Sequence, residues 1–236
     1  MSTQSIKPED QAEPVQMMVA GMLVIVLVGL IIWILPAIVP QLAVNANILA
    51  GEKAAWYLTR SSGTVAYLML SASTIWGLLL STKLVKQWVP AAISLAMHNY
   101  ISWLSLGLTV FHAGVLLFDS YYTYTLSALL IPFTGPYSPL WVGMGTLGFY
   151  IILITTVSYY VRKQIGQKVW RKLHYTTFGG YVLATVHGLM AGTDAAQLMS
   201  IFGTSSFLVL FLTLYRILSS GSAQKRPRKA RAPRTS

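Results

Sequence analysis

The stretch MHNYISWLSLGLTVFH, residues 97–112, lies inside a run from about Pro90 to Phe118 that contains no Asp, Glu, Lys or Arg. A helix of about 20 apolar residues crosses the hydrocarbon core of a bilayer, and this run exceeds that length. The whole chain shares its character, since 55% of the 236 residues are hydrophobic and 10% are charged, against about 25% charged in soluble domains. So few charges cannot cover a water-facing surface. The sequence therefore predicts an all-α integral membrane protein and excludes a soluble fold.

Five further apolar runs predict a six-helix bundle over residues 17–218. A polar segment, 1–16, precedes the first run, which is too long for the apolar part of a secretory signal. The aromatic segment 120–139 is interrupted by Pro and Gly and predicts an interfacial loop. The basic tail, 219–236, has no apolar period and predicts disorder. The six predicted spans are about Met17–Val39, Ser61–Leu80, Pro90–Phe118, Leu140–Val161, Leu173–Ala191 and Leu198–Leu218.

The basic residues predict the orientation of this bundle. With six spans, 15 of the 17 Lys and Arg residues fall on the side that holds both termini, and only Lys53 and Arg60 fall on the other. Cytoplasmic loops carry the excess of Lys and Arg, so both termini are expected in the cytoplasm, in a plasma membrane of the bacterial inner-membrane type. The tail KRPRKARAPR, residues 225–234, is then expected to bind anionic lipid headgroups and not nucleic acid.

The four histidines are the candidate functional residues, because ionisable side chains inside a membrane are costly and are usually functional. His98 and His112 lie 14 residues apart on the third span, and His174 and His187 lie 13 apart on the fifth. Each separation corresponds to roughly 20 Å along a helix, too far for one metal ion. Spans three and five run in the same direction, so His98 is expected to face His174 near the cytoplasmic side and His112 to face His187 near the outer side.

Two imidazoles facing each other suit the two axial positions of a haem iron. Zinc or copper would require a third or fourth ligand, and each level has two His and no buried carboxylate. The chain has no Cys, which excludes thiolate-bound clusters and covalent c-type haem. The alternative for a single membrane histidine is an interhelical hydrogen bond, but four histidines paired at two depths favour two non-covalent bis-His haems.

Small residues between the histidines are expected to leave room for porphyrin discs. Ser102, Ser105 and Thr109 share the histidine face of span three, and Gly179 and Gly180 lie midway along span five. Fourteen residues return a helix to within about 40° of its starting direction, but thirteen leave it about 140° away. An ideal helix therefore does not bring both histidines of span five to one face, and the Gly pair is a possible site for a kink.

Three basic residues are weaker candidates. Arg60, at the outer end of span two, is expected to bind a haem propionate or to attract an anionic acceptor; the alternative is an interfacial Arg whose charge reaches water. Arg171 and Lys172 precede His174 and could meet inner propionates, although ordinary positive-inside charge explains them as well. Trp170, like the other six tryptophans, is interpreted as an interfacial anchor.

The two histidine stretches, MHNYISWLSLGLTVFH and LHYTTFGGYVLATVH (173–187), resemble the ferric-reductase-like transmembrane domain. That domain is shared by ferric reductases, NADPH oxidases and the haem-bearing membrane partner of periplasmic methionine sulfoxide reductase. The resemblance covers about residues 17–218 and implies two stacked b haems, one on His98 and His174 and one on His112 and His187. The context YLTRSSG, 57–63, is similar to that of the family's outer-haem arginine. The implied function is electron transfer from a cytoplasmic donor to an outer acceptor.

Two departures from the family pattern narrow this expectation. Ferric reductases and NADPH oxidases carry a C-terminal flavin and nicotinamide module, whereas 18 residues follow the sixth span here. A separate flavoprotein or a quinol is therefore expected to donate the electrons, with an outer-face protein or small molecule as acceptor. The oxidases also place a His one turn beyond the outer ligand of span three, where this chain has Leu116, which counts against oxygen reduction.

The sequence leaves two alternatives to a membrane cytochrome subunit of a larger redox system. One is a stand-alone terminal reductase that reduces ferric chelates or oxygen at the outer haem. The other is a haem-free structural subunit or transporter, in which the histidines serve stability alone. No charged residue lies at mid-membrane to mark a solute pathway, which counts against a transporter.

Overall fold

The computed structural model describes residue 51 and residues 53–82, 84–85 and 89–224. The first predicted span, Met17–Val39, and the tail beyond Gln224 lie outside the described residues, as do Lys83 and Lys86. Every regular element in the described part is helical, which confirms the all-α prediction there. The elements are α1 (Ala54–Thr82), α2 (Ala91–Val115) with a 3₁₀ turn at Leu116–Phe118, α3 (Leu126–Leu130), α4 (Pro139–Ser158), α5 (Arg162–Ile165), α6 (Gln167–Tyr175), α7 (Thr177–Ala191) and α8 (Met199–Gln224).

Four of these elements are long and apolar enough to cross a membrane. They are α1, α2 with its 3₁₀ turn, α4 and the part of α8 at Met199–Ser219. Large apolar side chains on their outer faces are exposed, including Phe111, Ile154 and Phe207. Such surfaces are normal where lipid replaces water, so the described part has the character of a membrane-spanning bundle.

Two antiparallel contacts organise the bundle: α1 packs along α2, and α4 packs along α7, while α8 packs on α1. The seam between α1 and α2 is lined by small buried residues such as Ser73 and Ser105. Small side chains allow the two backbones to approach closely, as is usual in membranes. A separate apolar cluster closes the junction of α1, α7 and α8, around Tyr67, Tyr181 and the residues Leu78, Phe202, Val209 and Leu212.

The predicted fifth span, Leu173–Ala191, is two helices and not one. The backbone N–H of Thr176 donates to the carbonyl of Leu173, three residues back, so a tighter turn separates α6 from α7. The break lies here and not at the glycine pair proposed from the sequence; a side chain at Gly180 would meet Ile152 at 2.8 Å, so this glycine serves the close packing of α7 on α4. Because His174 lies on α6 and His187 lies on α7, the angle between their side-chain directions is not set by the regular rotation per residue of a single helix.

Three predicted boundaries also differ from the structure. α1 begins at Ala54, seven residues before the predicted start of span two at Ser61, so Arg60 lies within the helix. Residues 162–172, between the fourth and fifth predicted spans, are helical, because their Lys, Arg and Gln residues favour helix, and Gly166 at φ +84° separates α5 from α6. α8, the helix of the sixth predicted span, continues through Gln224, six residues into the region predicted as a disordered tail.

Candidate functional site: two histidine pairs

The structure brings the four histidines together as two pairs at the two ends of the bundle. The ring centroids of His98 on α2 and His174 on α6 are 6.2 Å apart, with ring planes at 89°. Those of His112 on α2 and His187 on α7 are 6.1 Å apart, with ring planes at 74°. We call the first the inner pair and the second the outer pair.

This separation fits one metal ion between two imidazoles. A metal–imidazole bond is about 2 Å long and a ring nitrogen lies about 1 Å from its ring centroid, so two axial imidazoles have centroids about 6 Å apart. An edge-to-face contact of two rings covers a similar range of distances. The distance between the rings is therefore compatible with both interpretations, and the hydrogen bonds of the rings are the more specific evidence.

Three of the four imidazoles are anchored through Nδ1 to a helix carbonyl. His98 Nδ1 lies 3.0 Å from the carbonyl oxygen of Ser73, His112 Nδ1 lies 2.7 Å from that of Thr59, and His187 Nδ1 lies 3.0 Å from that of Trp141. A carbonyl oxygen only accepts, so Nδ1 carries the proton and Nε2 keeps its lone pair. An Nδ1–H bonded to a carbonyl is the usual support of a metal-ligating histidine, because it sets the tautomer and the ring orientation.

Each of these three rings also rests against a glycine. An added Cβ would lie 2.7 Å from His112 Nδ1 at Gly63 and 3.0 Å from His98 Cε1 at Gly77. At Gly145 it would lie 2.7 Å from His187 Cγ. The space that a side chain would occupy is thus taken by an imidazole in all three places.

The same arrangement of a carbonyl and a glycine faces each of these three histidines, and it was not predicted from the sequence. Each accepting carbonyl stands four residues before its glycine, in the pairs Thr59 and Gly63, Ser73 and Gly77, and Trp141 and Gly145. In a helix the carbonyl of residue i pairs with the N–H of residue i+4, so the histidine reaches a carbonyl whose neighbour on the helix surface has no side chain. The spacing of 14 between Gly63 and Gly77 on α1 equals that between His98 and His112 on the antiparallel α2. This equal spacing of two glycines and two histidines is the sequence feature from which the arrangement could have been predicted.

His174 is held differently. Its ring stacks on the indole of Trp170, one turn earlier on α6, with centroids 5.1 Å apart and planes at 15°. Trp170 in turn contacts the ring of Tyr159 edge-on, with centroids 6.3 Å apart. Within the described part of the chain, neither ring nitrogen of His174 has a hydrogen bond. Trp170, predicted as an interfacial anchor, therefore supports a candidate ligand.

Cavities of very different size surround the two pairs. The outer cavity encloses about 850 Å³ and includes both rings of the outer pair, Arg60 and Asp194. That volume lies in the range of cofactor pockets. The inner cavity encloses about 130 Å³ between the inner pair, Trp170 and α8, which is less than a porphyrin needs. The outer site thus fits a haem in both ligand spacing and volume, whereas the inner site fits in ligand spacing alone.

The aromatic segment 120–139 lines part of the outer cavity. Tyr121, Tyr122, Tyr124 and Tyr137 line the cavity, and Tyr137 donates from its hydroxyl to the carbonyl of Ala191 at 3.1 Å. Tyr124 is 7% exposed, and burial raises the pKa of its hydroxyl. This loop therefore contributes neutral, hydrogen-bonding aromatic rings to the outer site.

Arg60 lies at the outer cavity but is already paired. Its guanidinium forms an ion pair with Asp194 and lies 4.3 Å from the centre of the Trp56 ring, while its Nε is buried without a partner among the described residues. Arg60 is thus neither a free interfacial cation nor a dedicated anion ligand in this structure. The Nε donor is unpaired among the described residues, and Arg60 lines the cavity that contains the outer pair.

Arg171 and Lys172 are exposed on α6 and do not line the inner cavity. They point away from the inner pair because they follow Trp170, whose side chain faces it. Arg216 on α8 lines the inner cavity instead, where it donates to the Tyr175 hydroxyl at 3.2 Å. From the sequence, Arg216 is predicted only as one of the positive-inside charges, since its proximity to the inner pair depends on how α8 packs.

The small residues of α2 serve helix packing as well as space. Ser102 Oγ lies 2.6 Å from Ser73 Oγ, and Ser105 donates to the carbonyl of Ala66 at 3.2 Å. Both residues also line the cavities. The predicted small face therefore holds α2 against α1 at the depth of the two pairs.

Among the described residues, no group of three or more His, Cys, Asp or Glu side chains is placed to hold a metal ion. Each pair offers two nitrogen ligands, the number that axial ligation of a haem uses. No known protein family matches the chain, and neither does any curated protein or solved structure.

Proposed function

We propose that this protein is a di-haem b cytochrome that transfers electrons across a membrane as a subunit of a larger redox system. The observation that carries the proposal is the Nδ1–H···O=C anchoring of three paired histidines beside glycines. Such an anchor sets the tautomer and orientation of the ring and leaves Nε2 unprotonated, which a metal ligand requires and a histidine that only joins helices does not. These anchors leave Nε2 unprotonated on both rings of the outer pair and on His98 of the inner pair, which supports metal ligation by these three nitrogens.

In this proposal His112 and His187 hold the outer haem and His98 and His174 hold the inner one. Haem would supply one-electron oxidation and reduction there, and ligation by two imidazoles would favour electron transfer over gas binding. The chain orients the ligands through the carbonyls of Thr59, Ser73 and Trp141. The tyrosines of segment 120–139 and the helices of the bundle limit access of water to the outer pair.

The proposed topology has six spans and both termini in the cytoplasm of a bacterial-type cell. Among the described residues, the acidic side chains Asp119 and Asp194 lie toward the end of the bundle that contains the outer pair, and the basic helices α5 and α6 lie toward the end that contains the inner pair. Positive charge at the inner end supports this orientation. The basic tail is proposed to bind anionic lipids.

The proposed path runs from a cytoplasmic flavoprotein or a quinol, through the inner and then the outer haem, to an acceptor at the outer face. It depends on the resemblance to the ferric-reductase-like domain, since the histidine pattern is what the two share. Arg60, with one unused donor at the outer cavity, is proposed to contact an outer propionate, and Arg216 takes the place at the inner site first expected for Arg171 and Lys172.

The test is the haem content of the full chain purified after expression with added haem. We expect b-type absorbance and about two haems per chain. Replacement of any one of His98, His112 and His187 by Ala should reduce the ratio to about one. Tyr100→Phe, at an exposed position of α2, is the matched control and should retain both haems.

Absence of b-type absorbance in the purified chain would refute the proposal and favour a haem-free subunit. In that case His98→Ala and His187→Ala should change stability alone. Rapid reoxidation of the reduced, isolated protein by ferric chelates or oxygen would instead support the stand-alone reductase.

A further inference from the structure

The outer cavity extends beyond the two imidazoles of the outer pair in both directions along α1. Its lining residues on this helix run from Trp56 to Leu70, which is about 21 Å at 1.5 Å per residue. The ring of His112 rests against Gly63, in the middle of that length. The outward half of the cavity, which segment 120–139 also lines, therefore has space that the imidazoles do not occupy.

The cavity opens toward the bilayer between α2 and α3. Val110 and Leu117 on α2, and Leu126 and Leu130 on α3, line the cavity and are also exposed. A side chain that does both lies at the mouth of a cavity. Gly114 lines the cavity between the two α2 residues, and nothing lies within 4 Å of the position that a Cβ would take there. We call this mouth the lateral opening, and its aliphatic side chains suit contact with lipid acyl chains.

The segment that carries α3 is fastened to the opposite side of the cavity. The ring of Phe133, a residue with φ 68°, occupies the space that a side chain at Gly143 of α4 would take. Tyr150 on α4 donates to the carbonyl of Leu130 at 2.5 Å. These contacts hold the segment on α4, and the lateral opening lies on its other side, along α2.

The polar groups of the outer cavity favour a neutral ligand with acceptor oxygens. Among the described residues the charged side chains of the lining are Lys53, Arg60, Asp119 and Asp194, which sum to zero, and Arg60 pairs with Asp194. Thr59 also lines the cavity, and its buried Oγ1 has no partner among the described residues. A buried hydroxyl without a partner costs free energy, so an acceptor oxygen on the ligand would stabilise it.

The outward half of the cavity also offers flat aromatic surfaces. Tyr121, Tyr122 and Tyr137 line it, and the ring centroids of Tyr122 and Tyr137 are 5.1 Å apart. Such rings pack well against another planar ring, offset or edge to face. A neutral planar ring with carbonyl oxygens and an aliphatic chain matches the tyrosines, the Thr59 hydroxyl and the lateral opening together. Lipid-soluble quinones have this structure.

We propose that the outer cavity binds a lipid-soluble quinone, whose ring lies among the tyrosines and whose chain leaves through the lateral opening. One carbonyl oxygen of the ring accepts a hydrogen bond from Thr59 Oγ1. This binding does not require haem and includes no redox step. Only the identification of the quinone with the small-molecule acceptor at the outer face rests on the proposed function.

The experiment is photolabelling of the full chain, purified after expression with added haem and placed in phosphatidylcholine nanodiscs. The probe is an azido-benzoquinone with a short isoprenoid chain. We expect saturable labelling of peptides within residues 53–63 and 110–137. An excess of unlabelled quinone with the same chain should abolish it.

Gly114→Phe tests the lateral opening, because a phenyl group there fills space that is empty in the structure. The apparent affinity for the probe should fall by about 10-fold or more, as expected when two or more methylene groups of the chain lose their contacts. Gly107→Phe is the matched control. Gly107 lies two turns earlier on the same side of α2, its added Cβ also meets nothing within 4 Å, and it lies outside the lining of the cavity. This variant should bind the probe as the wild type does.

Thr59→Val tests the site without altering the lateral opening. The variant keeps the backbone carbonyl of residue 59 and removes the hydroxyl, and the affinity for the probe should fall by about 2- to 10-fold, the net contribution of one hydrogen bond. Thr64→Val is the matched control. Thr64 also lines the cavity, but its hydroxyl already donates to the carbonyl of Arg60 at 3.0 Å, so this variant should retain the wild-type affinity.

Labelling that excess quinone does not reduce would assign the cavity to phospholipid and would overturn this inference. Equal affinities in the two Phe variants would also overturn it. If Gly114→Phe fails to fold, equal affinities in Thr59→Val and Thr64→Val would do so. Two haems with no saturable labelling would overturn this inference and leave the proposed function standing, whereas a chain that carries no haem and still binds the probe would do the reverse.

Discussion

Replacement of Gly63 by Ala tests the arrangement of carbonyl and glycine that positions His112 in the outer pair. The new Cβ would lie 2.7 Å from Nδ1 and 2.8 Å from Cε1 of His112. Ordinary contacts of a Cβ begin at 3.4 Å, so the ring has to withdraw by roughly 0.7 Å. The hydrogen bond from His112 Nδ1 to the Thr59 carbonyl is 2.7 Å long, and such a withdrawal stretches it to roughly 3.4 Å, where little of it remains.

Two opposing effects determine the stability of this variant. Overpacking of a tight contact costs about 1–3 kcal/mol, and Ala stabilises a helix interior by about 1 kcal/mol over Gly. The free energy of unfolding should therefore fall by about 0–2 kcal/mol, and the protein should still fold. Haem affinity at the outer site should fall more clearly, by about 10- to 100-fold, because the ligand loses its orienting partner.

The assay is the ratio of haem to protein during titration with haem, combined with thermal unfolding in one detergent. Gly107→Ala on α2 is the control, since nothing lies within 4 Å of its added Cβ; it should gain stability and retain both haems. Gly77→Ala should affect the inner site less than Gly63→Ala affects the outer one, because its Cβ approaches His98 only to 3.0 Å. Equal outer-haem affinity in Gly63→Ala and Gly107→Ala would refute the reasoning.

Two further predictions concern the basic residues at the two cavities. Asp194→Asn should lower the free energy of unfolding by less than about 1 kcal/mol, and Arg60→Gln should lower it by about 0.5–1 kcal/mol more because it also removes the contact with Trp56; equal losses in thermal unfolding would contradict that contact. Arg216→Gln should lower the midpoint potential of the inner haem by tens of millivolts, since a nearby positive charge favours the reduced form. Arg171→Gln, at an exposed position, should leave that potential unchanged in a spectroelectrochemical titration, and equal shifts in both variants would exclude Arg216 as the inner cation.

Helix content and the pairing of the histidines were predictable because both follow from local regularities. A charge-free run such as Pro90–Phe118 has few alternatives to a helix in a membrane. The matched spacings on α2 and on residues 174–187, with the alternation of spans, predict that His98 faces His174 and that His112 faces His187, and the structure has these pairs. The first span and the topology stay predictions, because they lie outside the described residues or depend on the membrane itself.

The details of the sites were less predictable because they depend on contacts between helices. The break at Thr176 has no Pro or Gly to mark it, so the sequence suggested Gly179 and Gly180 instead. Arg171 and Lys172 are adjacent to His174 in sequence, but helical geometry turns them outward. Arg216, 42 residues away from His174 in the chain, lies at the inner cavity because α8 packs there.

The sequence by itself determined that the chain is apolar, helical and without thiols, and that its imidazoles fall at two depths. These properties depend on composition and on spacing along one helix, where 1.5 Å per residue converts sequence into distance. Only the tertiary structure decided which groups support each imidazole: three carbonyls beside glycines, and the indole of Trp170 for His174. Supporting contacts form between segments distant in the chain, and a small change in helix rotation or separation exchanges one partner for another. For that reason the two pairs look equivalent in the sequence, whereas in the structure one is anchored on both sides and the other on one.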